Sequence, residues 1–153
     1  MIRYVLSVLV FLAGIVLTIS AVGGGVLIYV DIPGCIIAVI VPFLFTGVVC
    51  GFTEMRSAFS AALGKEREKE TLLKALHFFK VYGKATWIAG YIAVLIGVIA
   101  MLVNLEDKTA IGPNLALALT AMLYSGIIQV IVILPLRAFI HKRLILAGTN
   151  SPA

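Results

Sequence analysis

"MLVNLEDKTAIGPNLALALTAMLYSGIIQVIVILPL", residues 101–136, is the stretch that decides the fold of this chain. A charged turn from Glu106 to Lys108 separates the end of one apolar run from a second, which extends from Asn114 to Leu136. The second run has the roughly 20 residues that a helix needs to cross the hydrocarbon core of a membrane. The stretch therefore predicts two membrane-spanning helices joined by a short polar turn.

The composition of the whole chain agrees with a membrane protein. Hydrophobic residues make up 62% of the 153 residues and charged residues 12%, with a mean hydropathy of +1.16, whereas soluble domains contain about 25% charged residues. We predict an all-α integral membrane protein that forms a single membrane domain, residues 1–153, with four transmembrane helices and a short helical cytoplasmic loop at 53–85. The four apolar runs lie at about 4–22, 35–52, 86–103 and 114–136.

The first apolar run is predicted to be a retained span. It exceeds the roughly 7–15 apolar residues of a cleaved signal peptide, and the sequence VGGG is a poor cleavage site. After Gly23-Gly24-Gly25 the chain continues as VLIYVDIPG. Both a long first helix and a broken helix with a short interfacial return are compatible with this sequence, so the conformation of residues 23–34 stays open.

The positive charges predict the orientation in the membrane. Eleven of the 12 Lys and Arg residues lie before span one, between spans two and three, or at and after the end of span four; Lys108 alone lies in the other turn. By the positive-inside rule, both termini and the middle loop are cytoplasmic. Topology thus accounts for the net charge of +5, and no nucleic-acid partner is expected.

No pattern of residues in the sequence predicts an enzyme. Cys35 and Cys50 are fifteen residues apart, about 22 Å along one helix, which is too far for a disulfide. There is no His, Cys, Asp and Glu pattern with metal-ligand spacing, no hydrolase constellation and no phosphate-binding glycine loop. We expect no metal, no cofactor and no catalysis.

The middle segment contains an amphipathic pattern in "GKEREKETLLKALHFFKVYGK", residues 64–84. One side of this predicted helix carries Leu72, Leu73, Leu76, Phe79 and Tyr82. The pattern is typical of a membrane-surface helix or of an extension of span three. A docking site for a cytoplasmic partner is the alternative.

Small residues repeat at four-residue intervals in span three, at Ala85, Ala89, Ala93 and Gly97. Such residues let helices approach closely in membranes, so we predict a packing seam within or between subunits. Asp, Glu, Lys, Arg and His are absent from all four predicted spans, although ion pathways usually contain them. An unrelated small transporter is therefore disfavoured, and an ion channel would need a titratable group from another chain.

Two segments of the sequence are similar to one protein family. Residues 90–135, which include "NLEDKTAIGPNLALALTAMLY", and the stretch "VGGGVLIYVDIPGCIIAVI" at 22–40 resemble the MotA/TolQ/ExbB proton channel family, in particular flagellar motor stator A subunits. The Asp-Ile-Pro turn at Asp31 and the Ile-Gly-Pro turn at Gly112 lie on the same predicted face of the membrane. The order of the two segments, the number of spans and the predicted cytoplasmic location of both termini agree with this family.

The resemblance implies an A-type subunit of an ion-driven stator or channel complex in the bacterial inner membrane. In this family five A-type subunits form a ring around a dimer of single-span, MotB/ExbD-like B-type subunits, and each B-type helix supplies the ion-carrying aspartate. Homo-oligomer, B-type subunit and membrane lipid are the partners implied. A non-conducting membrane scaffold on the same fold is the alternative. The middle loop is much shorter than in motor A subunits, so engagement of a rotor is not carried over.

The resemblance also directs attention to residues along helices three and four. The family's proline at the inner end of helix three aligns with Trp87, whereas the corresponding proline of helix four is kept as Pro135. Two threonines that line the family's ion path align with Val94 and Met122. Pro113 is expected at the first position of helix four.

Tyr91, Ser125 and Gln129 share faces with the replaced threonines and are predicted to hydrate an ion path; alternatively, Ser125 and Gln129 bond across helices. The ion-pathway candidates are thus Tyr91, Val94, Met122, Ser125 and Gln129. The structural or partner-contact candidates are Asp31, Pro33, Trp87, Ala93, Gly97, Gly112, Pro113, Tyr124 and Pro135.

The charge distribution makes a topological prediction. A reporter fused after Pro152 should be cytoplasmic, and one inserted at Lys108 should be periplasmic, because positive loops are retained inside. Alkaline phosphatase and green fluorescent protein fusions at both sites measure this. The reverse pattern would overturn the orientation.

Overall fold

A computed structural model describes residues 2–23, 29–64 and 68–149. The chain forms two compact units, Met1–Ile32 and Pro33–Ala153. Predictions that involve Gly24, Gly25, Lys65, Arg67 and Pro152 lie outside the described residues.

The first unit contains helix α1, Ile2–Val22. The helix ends at Gly23, whose φ of +79° lies in the left-handed region, a conformation that glycine adopts without strain and that commonly ends helices. A 3₁₀ turn is present at Tyr29. Helix α1 thus stops at Val22, and the alternatives for the chain after it involve residues 24–28, which lie outside the described residues.

The second unit begins with a continuous helical segment. It consists of α2, Ile32–Cys35, a π-helical turn π1, Ile36–Ile40, and α3, Val41–Cys50. It stops at Gly51, which has a φ of +91°, and α4, Phe52–Ala62, follows. The change of direction at Gly51 requires a residue without a side chain.

Two long helices form the remainder of this unit. Helix α5, Lys69–Val103, is joined by a turn to α6, Lys108–Ile128. A second π-helical turn π2, Gln129–Ile133, and α7, Leu134–Thr149, continue directly from α6. Residues 69–85 are thus an extension of span three.

The turn between α5 and α6 corrects the predicted role of Pro113. The Asp107 N–H donates to Asn104 O at 3.1 Å, and the Thr109 N–H donates to Asp107 Oδ1 at 2.9 Å. Asp107 is therefore an N-cap, and α6 begins at Lys108 rather than at Pro113. Pro113 lies inside the helix, where its missing N–H removes one backbone hydrogen bond.

Each π-helical turn ends two residues before a proline, Pro42 or Pro135. In these turns the backbone N–H bonds five residues back: Val41 N–H donates to Ile36 O, and Leu134 N–H to Gln129 O. A proline ring in a regular helix collides with the carbonyl four residues earlier. The wider π turn relieves that collision without ending the helix.

The helices confirm the predicted fold class: this is an all-α membrane protein with about four spans. The helices Ile32–Cys50, Lys69–Val103 and Ile111–Leu146 are long and apolar enough to cross a membrane, with mean hydropathies of 2.4, 2.3 and 2.2. A shorter apolar helix, Leu6–Ala21, lies in the first unit.

The main hydrophobic core lies where α4 and the start of α5 meet α7. Most of its residues are outside the four predicted spans. Phe59 and Phe79 pack edge-to-face with ring centroids 5.4 Å apart, and Phe78 and Phe79 do the same at 5.4 Å. The cluster comprises Ala58, Ala61, Ala62, Leu72, Ala75, Phe78, Phe79, Tyr82, Ile133 and Ile140. Of the predicted amphipathic face, Leu72, Phe79 and Tyr82 are buried, whereas Leu73 is 46% exposed.

Helices α5 and α6 contact each other along a seam of small residues. From residue 83 onward, the buried residues of α5 are Gly83, Thr86, Gly90, Ala93 and Gly97. A Cβ added at Gly97 would lie less than 3.0 Å from Ala118 Cβ and 3.0 Å from the carbonyl oxygen of Asn114. The backbones of α5 and α6 therefore lie so close together at Gly97 that a larger residue at this position would collide with Ala118.

The seam includes Ala93 and Gly97 from the predicted ladder, but Ala85 and Ala89 are half-buried. A four-residue repeat advances about 400° and so drifts about 40° per step around the helix. The observed steps of three and four residues stay on one side. Ala93 and Gly97 thus belong to a seam within the subunit.

We predict that Gly97→Ala lowers the free energy of unfolding by about 1–3 kcal/mol, because the new methyl group overpacks the contact with Ala118. Thermal unfolding of the purified protein in detergent measures the change.

Gly126→Ala is the matched control, since a Cβ at Gly126 meets nothing within 4 Å and alanine favours helix. Combining Gly97→Ala with Ala118→Gly should restore stability. Equal effects of Gly97→Ala and Gly126→Ala would contradict the seam.

Candidate functional site

A cavity of about 340 Å³ opens where α5 passes π2 and the start of α7. It is lined by Lys80, Gly83, Lys84, Trp87, Ile88, Gln129 and Arg137. The cavity brings together two candidates from the sequence, Trp87 and Gln129, with three cationic side chains. We call it the basic pocket.

Helical spacing explains the α5 side of this pocket. At about 100° per residue, positions that are four, seven, eleven and fourteen residues apart stay within about 80° of one another. One stripe of α5 therefore carries Lys80, Lys84, Trp87, Tyr91 and Val94. The stripe runs beside the small-residue seam, from the basic pocket into the apolar part of the helix.

Gln129 is the polar residue on the other side of the pocket. Its Oε1 atom is buried and accepts no hydrogen bond from the part of the chain that the structure describes. A Cβ at Gly83 would lie 3.2 Å from Gln129 Oε1 and 3.3 Å from Nε2, so the glycine leaves room for the amide. A buried acceptor without a donor costs about 1–3 kcal/mol, which makes Gln129 a site for a hydrogen-bond donor.

Ser125 is placed differently from Gln129. It is completely buried, and its hydroxyl donates to Ala121 O at 3.2 Å. A Cβ at Gly90 would lie 2.9 Å from Ser125 Cβ, so Ser125 is part of the seam. Thr86 is buried there too, and its hydroxyl donates to Tyr82 O at 2.9 Å.

The remaining ion-pathway candidates flank the seam. Tyr91 is 59% exposed and Met122 37% exposed, and Val94 is half-buried. Met122 lies next to the seam, since its Cα is 3.6 Å from a Cβ placed at Gly90. Tyr91 and Gln129 are thus the polar candidates outside the seam contact.

The structural candidates are distributed over several elements. Asp31 is half-buried just before α2, and Pro33 is exposed within it. Gly112 is exposed and a Cβ there would meet nothing within 4 Å. Tyr124 is half-buried on α6, and Pro135 is half-buried at the start of α7, after the π turn that begins with Gln129.

The basic pocket is strongly positive. None of its lining residues is acidic. Within residues 2–23, 29–64 and 68–149, the ion pair found joins Lys74 to Glu70 at 2.8 Å, and it does not involve Lys80, Lys84 or Arg137. The Arg143 guanidinium, by contrast, donates to Ala61 O at 3.3 Å and lies 4.5 Å from the Phe139 ring centroid.

In the sequence, Lys80, Lys84 and Arg137 served only as indicators of the orientation in the membrane. The signal for the α5 part was present: Lys80, Lys84 and Trp87 follow a spacing of four and three residues, which places them on one face. Arg137 joins them through the packing of α7 against α5. No group of three or more His, Cys, Asp or Glu residues that could hold a metal occurs in the described ranges.

Comparison with known proteins gives a consistent result. Residues 51–145 match the family model described as the MotA/TolQ/ExbB proton channel family. This range includes α5 and α6 entirely, together with the segment between spans two and three.

Two curated relatives match parts of this chain. The chain is 34% identical over 79 residues to the chemotaxis protein PomA of Vibrio alginolyticus. This alignment covers 46% of this chain and 31% of PomA. The chain is 38% identical over 64 residues to motility protein A of Borreliella burgdorferi, covering 42% of this chain and 25% of that protein. The matched part thus spans a third or less of each relative.

Proposed function

The chain belongs to the MotA/TolQ/ExbB proton channel family, and we propose that it is the A-type subunit of an ion-driven stator or channel complex in the bacterial inner membrane. The observation that carries this proposal is the family match through α4, α5, α6 and most of α7, together with the similarity to PomA and motility protein A. Both termini are cytoplasmic in this proposal.

The partner follows from the chemistry that the chain lacks. The four predicted spans contain no Asp, Glu, Lys, Arg or His, although proton and ion paths through membranes usually contain such a group. A single-span, MotB-like B-type subunit supplies the aspartate. The chain itself is not an enzyme.

The assembly is a homo-oligomer, most simply a pentamer, around the B-type helices. In this arrangement the apolar part of the α5 stripe, with Tyr91 and Val94, lines the inner wall of the ring beside Met122 and Gln129. The exposure of Tyr91 and Met122 in the single chain supports that assignment. Water bound by Tyr91 and Gln129 lowers the cost of moving an ion past apolar side chains.

A non-conducting scaffold on the same fold is the second candidate. Val94 and Met122 stand where the family has hydroxyl side chains, and the Ser125 hydroxyl is buried and bonded to Ala121 O. The inner wall of such a ring is drier than that of a channel. A dry wall favours holding a partner over passing ions.

The ion path is tested with Gln129→Leu in liposomes that contain both subunits. We expect this change to reduce ion flux by about tenfold, since a Leu side chain holds no water, while the oligomer stays intact. Val94→Thr should keep or raise the flux. Flux is measured with a pH-sensitive or sodium-sensitive dye, and native mass spectrometry gives the oligomeric state.

Ser125→Ala is the matched control, because the Ser125 hydroxyl already bonds to its own helix and its loss should leave flux unchanged. Wild-type flux equal to that of empty liposomes would favour the scaffold. Normal flux in Gln129→Leu would remove Gln129 from the path, and a monomeric wild-type protein would refute the ring.

A further inference from the structure

The basic pocket has a chemistry that the proposed ion path does not use. Lys80, Lys84 and Arg137 surround one cavity, and no acidic residue lines it. Like charges at short range repel one another, most strongly where water is partly excluded. An anion bound at this opening would therefore offset the repulsion between the three cations.

The position of the pocket along α5 indicates where the anion comes from. Lys80 and Lys84 immediately precede the apolar run 86–103, and Arg137 immediately follows the apolar run 114–136. The pocket thus lies at the boundary between the apolar helices and their charged ends. Lipid phosphates lie at this level, and Trp87, 44% exposed at the pocket, is a residue type enriched there.

We propose that the basic pocket binds the headgroup of an anionic phospholipid of the phosphatidylglycerol type. Lys80, Lys84 and Arg137 hold the phosphate, with Arg137 offering a planar fork of donors. Trp87 packs beside the glycerol region. Basic pockets between transmembrane helices are suited to anionic headgroups.

Gln129 selects the headgroup. Its buried Oε1 needs a donor, and the glycerol headgroup of phosphatidylglycerol carries hydroxyl groups that donate, whereas phosphatidic acid has no such headgroup. Gly83 lets the Gln129 amide pack close to the α5 backbone, because a Cβ at position 83 would lie 3.2 Å from Oε1. The site therefore distinguishes two anionic lipids by one hydrogen bond.

The proposal does not depend on ion conduction. Lipid bound where α5 meets π2 and α7 would stabilise the contact between these helices. The site is part of the fold of the single chain, and it is testable in a ring that conducts or in one that does not.

The test uses the full chain purified in mild detergent and native mass spectrometry with phosphatidylglycerol, phosphatidic acid and phosphatidylcholine. The variant Lys80→Gln/Lys84→Gln/Arg137→Gln removes three charges from the pocket. The matched control Lys69→Gln/Lys74→Gln/Lys142→Gln removes three charges from exposed positions elsewhere. Thermal unfolding verifies that both variants remain folded.

We expect the wild-type chain and the control to retain phosphatidylglycerol at least about tenfold better than phosphatidylcholine, since each cation near a phosphate contributes measurably. The pocket variant should lose this preference. Gln129→Ala should reduce the preference for phosphatidylglycerol over phosphatidic acid.

Four results would overturn the proposal. Equal losses in the pocket variant and the control would show that general surface charge attracts the lipid. Displacement of the lipid by millimolar inorganic phosphate would identify a free anion as the ligand, and displacement by an acidic peptide would identify a protein segment. If the wild-type chain showed no preference for phosphatidylglycerol over phosphatidylcholine, the proposed site would be refuted.

Discussion

The close approach of α5 and α6 is the contact on which the rest of the molecule depends. In a membrane, apolar helices gain little from burying more apolar surface against each other, so tight packing between small residues must hold them together. Gly90 and Gly97 bring the two backbones together at Ser125 and Ala118, respectively. Since this contact sets the spacing of the helices, it also sets the width of the cavity at their ends.

The prolines shape the same pair of helices without breaking them. Pro135 follows a π turn in which Leu134 N–H bonds to Gln129 O, and the extra residue rotates the side chains that follow. Gln129 lies at the first position of this turn, so a backbone adjustment to a proline and the placement of the buried amide are linked. The family resemblance identified Pro135; the π turn gives a physical reason for its position.

Charge and apolar surface are separated along the chain. The aromatic cluster around Phe78 and Phe79 lies before the apolar half of α5, so the charged ends of the helices are held by packed side chains. That packing holds Lys80, Lys84 and Arg137 around one cavity. The proposed lipid site and the proposed ion path would then share Gln129, although lipid binding does not require ion conduction.

By itself the sequence determined the membrane class, the all-α fold and the family resemblance, because apolar run length and the Asn114–Leu136 segment depend on local composition alone. It also located Gly97 in a packing face. Tertiary structure decided which small residues form the seam, that Asp107 caps α6 ahead of Pro113, and that Ser125 is buried while Gln129 lines a pocket. These features depend on how far one helix rotates against another, and that rotation is set by contacts between residues distant in the chain.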